Sequence, residues 1–181
     1  RGEILISFLN DHRKSFFSIL FLILLIIVSA AISFKYIERV TSLSYFRKAL
    51  TASTIPEAEK AISKALSLYA NDLYLRTYSQ IYLVKLNAIV KKGESALSDA
   101  DKTELQADLS QAVSGAQGAT TYNPENYLNF ANLGSVYQIA GSLGIKDAYA
   151  NAMEAYKTAS TLNPQNPGIK LSLANLSLSD G

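Results

Sequence analysis

The sequence predicts an all-α protein: one transmembrane helix followed by an α-solenoid of antiparallel helix pairs. Three observations carry this. Residues 16–34 form a 19-residue run without a charge. Beyond it, apolar residues recur at spacings of three and four and do not alternate for long. One spacing of small and apolar residues then returns in three successive segments.

The apolar run reads FFSILFLILLIIVSAAISF. As a helix it is roughly 28 Å long, close to the hydrocarbon thickness of a bilayer. Ser18, Ser29 and Ser33 bond back to helix carbonyls and interrupt it little. Arg13 and Lys14 bracket one end, and Lys35, Glu38 and Arg39 the other. A buried core helix of this length would carry a polar face. Val28-Ser29-Ala30 resembles a signal-peptide cleavage site, but apolar character continues through Ile32 and Phe34, which favours an anchor. Residues 1–15 then form a juxtamembrane segment, 16–34 the span and 35–181 the repeat domain. Counting cations near the span does not settle orientation. The Arg13-Lys14 pair favours a cytoplasmic N-side, placing the repeats outside the cytoplasm.

Composition narrows the chemistry. The chain has 181 residues, 17 Lys+Arg against 15 Asp+Glu, one His and no Cys. Thiolate metal sites, disulfides and cysteine nucleophiles are excluded. His12 sits beside Arg13-Lys14 at the membrane edge, an interfacial position. Residues 1–48 carry a net charge of +4 and residues 49–181 a net −2, which gives no case for nucleic acid.

After the span, nothing before Leu50 breaks a helix, so the anchor is expected to run on into a first repeat helix over Tyr36–Ala52. Thr54, Pro56 and Glu57 read as a capping box with proline in the first turn of the next helix. Then comes the recurring spacing of four, three and five: Ala58, Ile62, Ala65, Ala70; Ala112, Ala116, Ala119, Pro124; Ala152, Tyr156, Ala159, Pro164. Pro124 and Pro164 end their helices. Phe130, Leu133-Gly134 and Tyr137 precede the last of these runs, Tyr78-Ser79 and Tyr82 the middle one, and Ile169, Leu173-Ala174 begins the pattern again.

These two phased patterns resemble the tetratricopeptide repeat (TPR) family over residues 45–178. In that family, antiparallel helices carry an aromatic–Leu–Gly–Tyr pattern and then an Ala–aromatic–Ala–Pro pattern. The resemblance implies that Gly134, Ser79 and Ala174 are small so that paired helices can touch. Ala112, Ala119, Ala152 and Ala159 answer them, while Tyr82, Tyr137 and Tyr156 fill the gaps between repeats. The chain departs from the family in its turns. Tyr137 to Ala152 is 15 residues and Tyr82 to Ala112 is 30, against about nine in the family. The extra residues, AGSLGIKDAY and KKGESALSDADK, read as loops.

The resemblance further implies a binding module without catalysis, cofactor or metal. Its first helices would line a concave groove for a protein or peptide, with the bilayer as a second partner through residues 16–34. Carried over by phase, the groove positions are Leu73, Arg76, Gln80 and Leu83; Leu128, Ala131, Asn132, Ser135 and Gln138; then Leu171 and Asn175. Ala131 and Ser135 stand where the family's carboxylate clamp needs Lys and Asn, so that clamp is not expected. The implied role is a membrane-anchored scaffold, in a bacterial inner membrane. An alternative is the non-catalytic tail of an O-antigen ligase or polymerase-like protein, which the span, the YFRKAL segment and the YSQIYLVKLNAIV hairpin resemble. A pilus- or secretion-assembly TPR protein is a third possibility.

Asp99, Asp101, Glu104 and Asp108 form the one acidic cluster and are expected at a helix start, complementing its dipole. Gly115 and Gly118 are expected to let helices touch, and Gly141 and Gly144 to lie in a hairpin turn.

Overall fold

A computed structural model describes residues 12–91 and 98–179. The expectations for residues 1–11, for 92–97 within KKGESALSDADK and for Asp180-Gly181 lie outside the described residues. Among the described residues there are seven helices and no strand: α1 (His12–Leu50), α2 (Ile55–Leu68), α3 (Asp72–Val90), α4 (Asp99–Tyr122), α5 (Tyr127–Ser142), α6 (Ala148–Leu162) and α7 (Pro167–Ser179). The chain divides into two compact units, one ending at Thr41 and the other beginning at Ser42.

In the first unit, α1 contains the apolar run, with Phe and Ile side chains largely exposed. It is long and apolar enough to cross a membrane by length and composition, and none of its most apolar stretch is buried by protein. An uninterrupted helix satisfies its own backbone groups, which any span through hydrocarbon requires.

The second unit is built as pairs. Helix α3 packs on α4 and α5 on α6, and neighbouring pairs meet through α2–α3, α4–α5, α3–α5 and α6–α7. The last turns of α1 bury Ser42, Phe46 and Ala49. Ser42 Oγ donates to the carbonyl of Ala65 at 2.7 Å, which ties α1 to α2. Phe46 stacks on Tyr74 of α3, ring centroids 4.3 Å apart.

The starts of α2, α3, α4, α5 and α7 are legible in local chemistry. Thr54 accepts from Glu57 N–H and proline stands in the first turn of α2. The reciprocal capping box lies elsewhere, at Ser98 and Asp101 before α4. Asn71 caps α3 through Tyr74 N–H at 2.9 Å. Two matched turns precede α5 and α7: Asn126 Oδ1 accepts from Leu128 N–H, and Asn166 Oδ1 from Gly168 N–H. Proline cannot extend α4 or α6, so both stop immediately before Asn123-Pro124 and Asn163-Pro164.

The enlarged hairpins differ from the loop-rich expectation. Ala140-Gly141-Ser142 belong to α5, and only residues 143–147 separate it from α6. Gly141 is therefore not a turn residue; a Cβ there would lie 2.7 Å from the Tyr149 ring. Gly144, at φ +78°, supplies the turn. In the other hairpin, α3 continues to Val90 and α4 begins at Asp99. Much of the additional chain is helix because its apolar pattern continues: Leu83, Leu86 and Ile89 are buried on α3 and Leu109 on α4.

Small residues mark the close approaches. Ala112, Ala119, Ala152 and Ala159 are fully buried. A Cβ on Gly134 would lie 2.7 Å from the buried Tyr156 ring. We expect Gly134→Ala to destabilise by about 1 kcal/mol, since overpacking outweighs the helix-propensity gain of about 1 kcal/mol. Gly118 is the contrast: its added Cβ would meet the Leu75 side chain at an ordinary 3.4 Å. Gly118→Ala should raise the melting temperature, and equal shifts in both variants would contradict the packing. Ala174 is exposed, unlike Gly134 and Ser79, because no described helix follows α7 to pack against it.

Candidate partner-binding face

The first helices of successive pairs, α3 and α5, are adjacent, and polar bonds set their register. Buried Ser79 donates to the carbonyl of Ala112 at 2.8 Å and accepts from Asn132 Nδ2 at 3.1 Å. One side chain thus joins α3, α4 and α5. Arg76 Nη1 donates to Asn129 Oδ1 at 2.6 Å, which brings the expected groove positions Arg76 and Asn132 onto facing helices.

The remaining positions are distributed as follows. Gln80 is exposed on α3, and Ser135 is half-buried on α5. Half-buried Gln138 accepts from the Tyr156 hydroxyl at 3.1 Å, which ties it to α6. Asn175 and Leu171 lie exposed on α7. Asn132 is nearly buried, and Leu83 is within the core of the α3–α4 pair. The exposed stripe of α3 instead passes through Leu73, Gln80 and Val84. Val84 is exposed where the motif phase, one residue early at this end of the helix, places Leu83.

A polar junction missing from the sequence reading underlies this face. Asp72 Oδ2 accepts from the side-chain amides of Asn123, Asn126 and Asn129 at 3.2, 2.8 and 3.2 Å. Asn129 is fully buried and also donates to the carbonyls of Ala119 and Asn123, each at 3.0 Å. The start of α3 is thereby fastened to the turn between α4 and α5. The signal was present in the matched NPEN and NPQN turns: Asn129 and Ile169 stand at the same distance past them, and both are buried. A polar residue at a core position needs partners, and the Asp72–Arg76 edge supplies them.

Burial disfavours the Asp72 carboxylate, but the bonds from Asn126, Asn129, the Leu73 backbone and Asn123 outweigh it and hold its pKa below the ordinary 3.8. A depressed carboxylate pKa adds stability above the unfolded value that is lost as pH falls through the folded one. Asp72→Asn should therefore flatten the loss of stability below about pH 4. An acid limb unchanged in melts across that range would contradict this.

A second cluster joins α2, α3 and α4. Lys85 Nζ lies 2.9 Å from Asp108, 3.4 Å from Glu59 and 3.7 Å from Glu104, and Tyr82 donates to Glu59 at 2.7 Å. Asp99 and Asp101 stand at the start of α4 as expected, but Asp108 does not: it is buried within the helix. It belongs to an ion pair and does not serve the helix dipole. Among the described residues, no group of three or more His, Cys, Asp or Glu side chains is arranged to hold a metal.

No family model matches the chain, and no curated protein matches its sequence. Among solved structures it is similar to the TPR domain of Arabidopsis OM64, with a TM-score of 0.58 and 17% identity. The match covers 77% of this chain and 96% of that one. This likeness shows the fold: the helical part is TPR-like.

Proposed function

We propose that the protein is a membrane-anchored scaffold that binds a protein or peptide partner. Residues 16–34 are the proposed anchor and 35–181 the repeat domain. The observation that carries the reading is the TPR-like pairing, in which Leu73 of α3 and Leu128 of α5, at matching positions of successive first helices, are both exposed. Leu73, Gln80 and Val84 on α3, Leu128 on α5, and Leu171 and Asn175 on α7 supply mixed apolar and amide character without strong charge. Such a stripe suits an apolar segment whose backbone or amide groups need partners. Arg76 and Gln138, already hydrogen-bonded, frame it; Ser135 adds a hydroxyl.

The fold neighbour is a TPR domain, and scaffolding is the reading we carry over from it. The apolar run supports the anchor, and the Arg13-Lys14 pair supports an extracytoplasmic repeat domain in a bacterial inner membrane. Photo-crosslinkers at Gln80 and Ser135 of the intact chain in its native membrane should capture one common partner, and a crosslinker at exposed Lys157 should not. Carbonate extraction should leave the chain with membranes unless residues 16–34 are deleted. Equal capture at all three positions would reject the face, and extraction of the intact chain would reject the anchor. Several further spans upstream would favour the polysaccharide-ligase tail reading instead.

A further inference from the structure

The flank of the first hairpin holds a groove of about 710 Å³. We propose that it is a second docking surface, which takes an acidic amphipathic helix of a partner protein.

The groove lies between the last turns of α1 and helix α2, separate from the stripe on α3, α5 and α7. Tyr45 on α1 lines one wall and Ala61 on α2 the other, with Ala52 at the turn between them. These three are only half-buried, although the same two helices bury Phe46, Ala49, Ile62 and Ala65 against Tyr74. Small residues, Ala61 and Ser63 on α2 and Ala52 at the turn, let a third helix approach closely, at the 8–10 Å typical of helix packing. An apolar stripe of a partner helix fits such a trough.

Charge selects the kind of helix. Lys48, Lys60 and Lys64 stand around the groove, with Glu57 as the one acidic lining residue. Lys60 and Lys64 are one helical turn apart on the same face, where like charges repel. Neither forms an ion pair among the described residues, and both are exposed. Lys48 is held over the Tyr45 ring, 5.1 Å from its centroid, on the opposite wall. This positive rim contrasts with the net −2 of residues 49–181 as a whole. An apolar trough with cations on both walls is complementary to a helix whose apolar stripe is edged by Asp or Glu.

The test uses the full chain in zwitterionic nanodiscs and a labelled amphipathic peptide of about 15 residues, a leucine stripe flanked by glutamates. Anisotropy should show saturable binding that weakens as salt rises. Lys60→Glu/Lys64→Glu should weaken it about tenfold, Ala61→Trp should remove it by filling the trough, and Lys157→Glu should leave it unchanged. Melting curves of the variants should match the parent, which separates lost docking from lost folding. Equal binding of a lysine-flanked peptide would overturn the proposal. So would occupation of the groove by phosphatidylserine nanodiscs without peptide, or self-association of the chain that Lys60→Glu abolishes.

Discussion

Lys85→Met is expected to destabilise the helical repeat unit by about 3 kcal/mol, the cost of stranding a buried charge. Asp108 is almost fully buried, and its Oδ2 has no hydrogen-bond partner. Its other oxygen depends on Lys85 at 2.9 Å. Burial pushes the Asp108 carboxyl up; Lys85 opposes this without cancelling it, and Glu104 and Glu59 add to the rise. Burial also disfavours the Lys85 ammonium, but the bond and charge of Asp108, with Glu59, hold it above its ordinary value. Removing the lysine leaves a carboxylate that neither water nor protein solvates.

The two partners are not equivalent, and that asymmetry makes the prediction specific. Asp108→Leu leaves Lys85 with Glu59 and Glu104, so its cost should be well below that of Lys85→Met. The double variant should recover most of the loss, because an apolar pair replaces the ions. pH supplies an independent check. A carboxyl with a raised folded pKa penalises the native state above that pKa, and the penalty fades as pH falls toward the unfolded value. The gap between parent and Lys85→Met should therefore narrow on acidification from neutral pH toward pH 4. A gap that stays constant, or a double variant no better than the single, would show that Lys85 acts by packing alone.

Leu86→Ala should cost a similar amount, about 3 kcal/mol, for a different reason. Leu86 is completely buried in a cluster with Tyr82, Leu109, Ala112 and Val136, which come from α3, α4 and α5. Truncation loses the transfer energy and leaves a cavity that three helices cannot all close. Leu73→Ala on the exposed stripe of α3 should change stability by less than about 0.5 kcal/mol. Denaturant or thermal melts of the full chain in nanodiscs compare the two directly. Equal effects would mean that the α3–α4 pair does not pack through its lengthened ends.

Both variants probe a region where the sequence was hard to interpret. Motif spacing counts the extra residues between Tyr82 and Ala112 as an insertion and reads KKGESALSDADK within it as loop, because a family pattern is silent about chain it does not contain. Helical periodicity does continue there, through Leu83, Leu86 and Ile89, and it explains the extended α3. The binding face shows the same limit on a smaller scale. Phase arithmetic chose Gln80, which is exposed, but also Leu83, which is buried where the helix exposes Val84. A helix advances about 100° per residue, so a slip of one residue exchanges a core position for a surface one.

Local physical chemistry was enough for the helical character and the apolar segment capable of spanning a bilayer, and the recurring spacing of small residues carried the TPR resemblance that implies the repeat pairing. Chain-local causes govern each: a run without charge, proline at a helix end, Asn or Ser at a helix start, alanine wherever two helices touch. The Asp72 junction and the Lys85–Asp108 pair could not be read the same way. Asp72 and Asn129 are 57 positions apart and Lys85 and Asp108 are 23 apart. A polar residue at such a distance shows neither whether it is buried nor which group will satisfy it. Only when α3, α4 and α5 pack do desolvation and hydrogen-bond geometry select the partners, and with them the polar contacts that hold the proposed binding face in register.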